Sequence, residues 1–277
     1  MEYVIIAVIC FLASLVGSIC GIGGGVIIKP VLDAAKVYSV SVISFLSGCT
    51  VLSMTAYSIA REAGKSRFKS ASNEMIILAA GSIAGGVIGK SMFTVLLSDI
   101  GNDFLVGELQ SLVLFVITAG TFIYTLFKVR ISKKKITGLV WIFTIGAILG
   151  VISAFLGIGG GPINIVVLSY CFSMKAKEAA ESSLFIILLS QLASFVTTIA
   201  TGTVPKVDVV LLLMMVAMGI SGGIAGRKIN DLINQKSVDR LFMLLLVVIM
   251  GITLYNFRHN FILLTGYENA ILSVNTK

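Results

Sequence analysis

Residues 157–162 read "GIGGGP" and residues 21–25 read "GIGGG", each inside a long apolar stretch. In a helix interior glycine costs about 1 kcal/mol relative to alanine, and proline about 3 kcal/mol. Four glycines in five residues, twice, therefore specify breaks in apolar helices. A broken helix in a membrane exposes backbone N–H groups, which are tolerated only where they line a cavity or meet a ligand. The start of the following half-helix carries about +0.5 charge and free donors, which suits an anion. Glycine also lets the backbone approach such a ligand closely. Proline is favoured in the first turn of a helix, so Pro162 places a helix start near Gly161–Pro162. Its counterpart starts near Gly25–Val26, without a proline.

The membrane setting follows from composition. The chain has 277 residues, 57% hydrophobic and 12% charged, with a mean hydropathy of +1.04. Soluble domains carry about 25% charged residues. Apolar segments cover 3–36, 38–60, 75–97, 108–128, 137–173, 180–201, 207–229 and 238–257, and a spanning helix needs about 20 residues. The chain reads as an all-α polytopic protein of the cell inner (plasma) membrane. Its net charge of +8 is assigned to Lys and Arg in cytoplasmic loops. Nucleic acid is not an expected partner, because no soluble domain exists to bind it. Glu2 stands where a cleavable leader would have Lys or Arg, so the first apolar segment is expected to stay in the mature protein. Cys10, Cys20, Cys49 and Cys171 show no metal-ligand spacing and read as small apolar fillers.

The second half repeats the first. "GIGGG" recurs at an offset of 136, "GGVIGK" at 85–90 matches "GGIAGR" at 222–227, and Gly120 and Tyr124 match Gly251 and Tyr255. The expected units are 1–132 and 133–277. If every apolar segment crossed once, positive residues would divide almost evenly between the two sides. If each broken segment instead goes in and returns, one side gathers Arg61, Lys65, Arg67, Lys69, Lys128, Arg130, Lys133, Lys134, Lys135, Lys175, Lys177, Arg227, Lys228, Lys236 and Arg240. The other side keeps Lys29, Lys36, Lys90, Lys206, Arg258 and Lys277. This positive-inside bias favours two inverted repeats, each a glycine-broken helical hairpin plus three transmembrane helices. Both termini then face outside.

The expected substrate-binding residues are Gly23, Gly24 and Gly25 in the first break and Gly159, Gly160, Gly161 and Pro162 in the second. Asn164, just inside the second half-helix, offers an amide to an oxyanion. Ser47 and Ser183 are repeat mates near the starts of their helices, and Thr50 and Gln191 add polar groups within the crossings. Lys90 and Arg227 are the matched cations of the repeat and read as gates at the two mouths, or as snorkelling helix-end residues. No buried carboxylate stands out; Glu181 is the weak candidate for coupling, and the other acids look like loop or helix-end residues. No metal site, cofactor or enzyme motif is read: the single histidine, His259, lies near a helix end, and HExxH, GxSxG and phosphate-loop patterns are absent.

The doubled glycine motif, with Pro162 after the second copy, and the paired G-G-x-x-G-[KR] at 85–90 and 222–227 resemble the TauE/SafE family of sulfite exporters. The resemblance covers about residues 3 to 257. It implies an inner-membrane permease for sulfur-containing and other organic anions such as sulfite and sulfonates. Expected partners are a small anionic substrate, the lipid bilayer, a coupling ion (H+ or Na+) and a second copy in a homodimer. The competing reading is a membrane scaffold or assembly subunit whose glycines serve helix packing.

Overall fold

The computed structural model describes residues 2–63, 73–128, 130 and 136–275. Side chains at 103, 104 and 259–275 lie outside that description, as do Lys65, Arg67, Lys69, Lys133, Lys134, Lys135 and Lys277 of the charge count. The described chain is helical, with no strand: α1 Glu2–Cys20, α2 Gly25–Ala35, α3 Val40–Ala63, α4 Asn73–Ile100, α5 Asp103–Phe127, α6 Leu139–Leu156, α7 Gly161–Cys171, α8 Ala176–Ala200, α9 Val209–Leu232 and α10 Gln235–Asn275. Eight of the described helices are long and apolar enough to cross a membrane.

The two breaks fall where the glycines stand, but they divide their segments unequally. The arms before the breaks, α1 and α6, have 19 and 18 residues; the arms after them, α2 and α7, have 11 each. At 1.5 Å per residue the short arms reach about 16 Å, roughly half of a bilayer core. Each chain segment doubles back after its break. The Tyr3 hydroxyl donates to Asp208 at 2.6 Å, and Tyr38 and Val207 pack with Ile6 and Leu211. Hence the start of α1, the exit of α2 and the start of α9 share one end of the molecule. In the other broken segment, the Ile136 N–H donates to the Cys171 carbonyl at 2.9 Å, joining the entry of α6 to the exit of α7. That junction lies at the opposite end, where Lys177 donates to the Asn230 and Ile233 carbonyls at the close of α9 and Lys128 pairs with Asp239 at 2.7 Å.

The paired "GG-x-x-G" stretches are backbone seams. A Cβ at Gly85 would collide with the Ala147 carbonyl oxygen, and one at Gly89 with that of Val151, so α4 lies directly on α6. Gly222 and Gly226 place α9 on the carbonyls of Phe11 and Leu15 in α1 in the same way. Ala147 and Val151 are the repeat mates of Phe11 and Leu15 at the 136-residue offset, so one contact is built twice. Small residues let helix backbones approach closely in lipid, where apolar burial gains little.

Candidate functional site

The two breaks meet at the centre of the molecule. A Cβ at Gly25 would come within 2.6 Å of the Ile158 carbonyl and 2.7 Å of Val51, and one at Gly161 within 3.4 Å of Val26. Val51 of α3 and Ile187 of α8 wedge between them, each near both Gly23 and Gly159. These side chains are themselves repeat mates, so α3 and α8 supply matching walls. One turn before each wedge, on the same helix face, stand Ser47 and Ser183. Both hydroxyls are fully buried and have no partner within the protein.

The two breaks differ in backbone. Gly24, which caps α2, has φ −67° and ψ −23°, an ordinary right-handed conformation. Gly160, which caps α7, has φ 104° and ψ −34°, a region that L side chains rarely adopt. Gly159 and Gly161 on either side also have positive φ. The first-turn N–H groups of a helix have no intrahelical acceptor, and this run of three glycines puts no side chain of its own over them. The Asn164 side chain folds back over Gly160: an added Cβ there would strike Nδ2. Asn164 is fully buried, and neither Oδ1 nor Nδ2 has a partner. An unpaired buried amide costs about 1–3 kcal/mol, so this one beside a helix start is the strongest polar signal of the centre.

Other expected site residues are engaged locally. The Thr50 hydroxyl donates to the Leu46 carbonyl at 2.8 Å. Gln191 Nε2 donates to Ser153 Oγ at 3.1 Å, tying α8 to α6. Pro162 lies in the first turn of α7, where its missing N–H removes no helix hydrogen bond.

Lys90 and Arg227 are buried on opposite flanks of this centre, following the seams that hold them. Lys90 Nζ sits 4.9 Å from the Phe93 ring centroid, in a cleft of about 20 Å³ that reaches Ser44, Gly157 and Gln191. Arg227 approaches Glu181 at 3.8 Å. A larger cavity of about 440 Å³ lies between α5, α7, α8 and α10, lined by Tyr124, Lys128, Ile165, Ser169 and Lys175. Ile165 and Ser169 continue from Asn164 along α7 towards the Ile136 end.

Three features were not read from the sequence. The broken ends of α1 and α6 leave carbonyls without helix partners, and amides from distant helices cover them. Asn230 Nδ2 donates to the Ile19 carbonyl at 2.6 Å, and Gln110 Nε2 to the Phe155 carbonyl at 2.6 Å. The third is an ion pair in α2: Lys29 binds Asp33 at 2.8 Å, with side chains only 3% and 12% exposed. Asp33 is thus no loop or helix-end acid of the ordinary exposed kind, as its position had suggested. The signal was the four-residue spacing in "KPVLD" within an apolar run.

Residues 6–254 match the family described as "Sulfite exporter TauE/SafE". The chain is 24% identical over 272 residues to "Probable membrane transporter protein YunE" of Bacillus subtilis (strain 168), covering 90% of this chain and 96% of that relative. No solved structure matches the chain. The family match takes in both glycine breaks and all of the seams between them, and with eight apolar helices of spanning length the chain is a multi-pass membrane protein belonging to the sulfite exporter TauE/SafE family.

Proposed function

We propose that the protein is a plasma-membrane permease for small sulfur-containing or organic anions, sulfite and sulfonates among them. The anion binds where the two glycine breaks meet, held by first-turn N–H groups of α7 and α2, the Asn164 amide and the Ser47 and Ser183 hydroxyls. The observation that carries this reading is the fully buried, unpartnered Asn164 amide over the positive-φ run Gly159–Gly161. A charge-assisted hydrogen bond to an oxyanion would satisfy its Nδ2. Lys90 and Arg227 attract the anion from either side of the centre.

In this reading the halves 1–132 and 133–277 are inverted repeats that exchange conformations during alternating access. The unequal cavities support it. The opening beside Ile165 and Ser169 measures about 440 Å³. Their repeat mates, Lys29 and Asp33, line a cavity of only about 10 Å³. Exchange of the two arrangements would close the first and open the second. The test is a thermal-shift series on purified protein with sulfite, sulfate, thiosulfate, methanesulfonate and acetate. A ligand that binds only the folded state raises its stability. Stabilisation by one or more of the sulfur oxyanions over acetate is expected, and a flat response across the series would leave the scaffold reading in its place.

A further inference from the structure

The buried pair on α2 has no role in anion binding as described so far. Lys29 and Asp33 lie four residues apart on one face of the short helix that follows the first break. They share their cavity with Gln110 and Ser111 of α5 and Thr253 of α10, closed by Leu156 and Ile158 from the second break. Two oxygens there, Asp33 Oδ1 and Gln110 Oε1, are buried without a partner. Gln110 is 2% exposed and is fixed by the bond from its Nε2 to Phe155. Asn256 of α10 holds the Pro30 carbonyl at 2.8 Å. The remaining faces of α2 are apolar: Ile28 and Leu32 pack on Ile6 and Cys10 of α1 and on Ile43 and Leu46 of α3. Among the described side chains, Lys29 is therefore the charged one that faces Asp33.

Ionisable groups at membrane depth are costly to bury and mark ion pathways. Replacing a buried ion pair by apolar residues of similar volume is often neutral or stabilising, so a buried pair is weak evidence of a stabilising role. We propose that Asp33, held against Lys29, is a proton-binding site that couples anion movement to protons moving in the same direction; the inference rests on the permease reading. A metal cation fits poorly, because the Lys29 ammonium already occupies the cation's place on the carboxylate. The cavity of about 10 Å³ is at the lower limit for even one water. A proton needs no such room. In the step, a hydronium ion gives one proton to Asp33 Oδ1: one O–H bond of the hydronium breaks, one forms on the carboxylate, which becomes a neutral acid, and a water molecule is left. The new O–H is a donor in a cavity holding an unpartnered acceptor, Gln110 Oε1. Lys29 keeps its charge, one turn from Gly25, so the neutral pair becomes a single positive charge beside the proposed anion site. That charge balances a bound monovalent anion.

The test uses proteoliposomes with [35S]sulfite and [35S]thiosulfate, with protein-free liposomes subtracted. Anion counterflow is measured without a pH gradient, and accumulation is measured with the outside one pH unit more acidic. With the membrane potential held at zero by valinomycin and equal potassium on both sides, wild type should accumulate about tenfold more anion with the gradient than without it, the equilibrium for one proton per anion. Asp33→Asn alone strands the Lys29 charge and can fail to fold. The double variant Lys29→Gln/Asp33→Asn preserves volume and removes both charges together. It should keep measurable counterflow, weakened by the loss of the Lys29 charge, and lose the response to the gradient. Wild-type counterflow with no greater accumulation under the gradient would overturn the inference, and so would a double variant that responds like wild type. If wild type shows no counterflow at all, the permease reading fails first and this one with it.

Discussion

Replacing Gly160 by valine separates binding chemistry from packing. At φ 104° the residue sits where a Cβ is strained whatever the space around it, at a cost of order 1–3 kcal/mol. The added carbon would also strike Asn164 Nδ2 and come within 3.1 Å of Asn164 Cγ and 3.2 Å of Ile187 Cγ1. The amide must swing away, and the side chain then covers the first-turn N–H groups. An anion that loses two charge-assisted hydrogen bonds, at about 1.5–3 kcal/mol each, binds about a hundredfold or more weakly. The readout is the dissociation constant by titration calorimetry for sulfite, thiosulfate and methanesulfonate, on protein that purifies as one monodisperse peak. Gly120→Ala and Gly251→Ala serve as controls, since a Cβ at either meets nothing within 4 Å. They should bind normally and gain stability, by about 0.5–1 kcal/mol each. Gly24→Ala gives a further contrast. Its backbone is already right-handed, but a Cβ there would lie 2.8 Å from Ser14 Oγ and 2.9 Å from Ser14 Cα. It should lose stability more than affinity. Normal anion affinity in a well-folded Gly160→Val protein would refute the site, leaving these glycines to packing alone.

Lys90→Gln and Arg227→Gln should each slow anion flux by roughly 3- to 10-fold at low ionic strength, with a smaller effect at high salt; unchanged flux in both would assign these residues to snorkelling. Topology is open to single-cysteine labelling in a background lacking Cys10, Cys20, Cys49 and Cys171: Arg130→Cys and Ser237→Cys should label from the cytoplasm, Asn102→Cys and Gly202→Cys from outside. Labelling of Asn102→Cys and Ser237→Cys from the same side would exclude the arrangement. Gly85→Val and Gly222→Val each drive a side chain into a backbone carbonyl, which cannot move away as a side-chain tip can, so overpacking should cost of order 1–3 kcal/mol or more. Size-exclusion profiles of the detergent-solubilised variants should show loss of the monodisperse peak, and a wild-type profile would contradict the seam.

Hydropathy and glycine clustering made the helices and both breaks legible, because each rests on local chemistry. The repeat offset pairs Ser47 with Ser183, and both hydroxyls are fully buried without a partner; the pairing of Val51 with Ile187, which stand near both breaks, emerged only from the structure. The lengths of the arms were less legible. Proline costs a helix interior dearly, yet Pro30 lies inside α2, with Asn256 on its carbonyl. That stretch invites a reading as the end of a segment, with Lys29 and Asp33 as flanking charges. Only the return of α2 beside α10 and α5 buries them. The amides that cover broken helix ends are non-local as well: Gln110 is 45 residues from Phe155, and Asn230 is 211 from Ile19. Breaks announce that such donors are needed, but not which helix supplies them.

The most direct measurement of the central claim is counterflow in sealed proteoliposomes. Vesicles loaded with unlabelled sulfite, thiosulfate and methanesulfonate are diluted into trace [35S]sulfite or [35S]thiosulfate, beside vesicles carrying Gly160→Val and vesicles without protein. The account predicts a transient intravesicular overshoot of label with wild type, abolished or greatly reduced with Gly160→Val and absent without protein. Label uptake by wild-type vesicles no greater than that of the protein-free vesicles would contradict it.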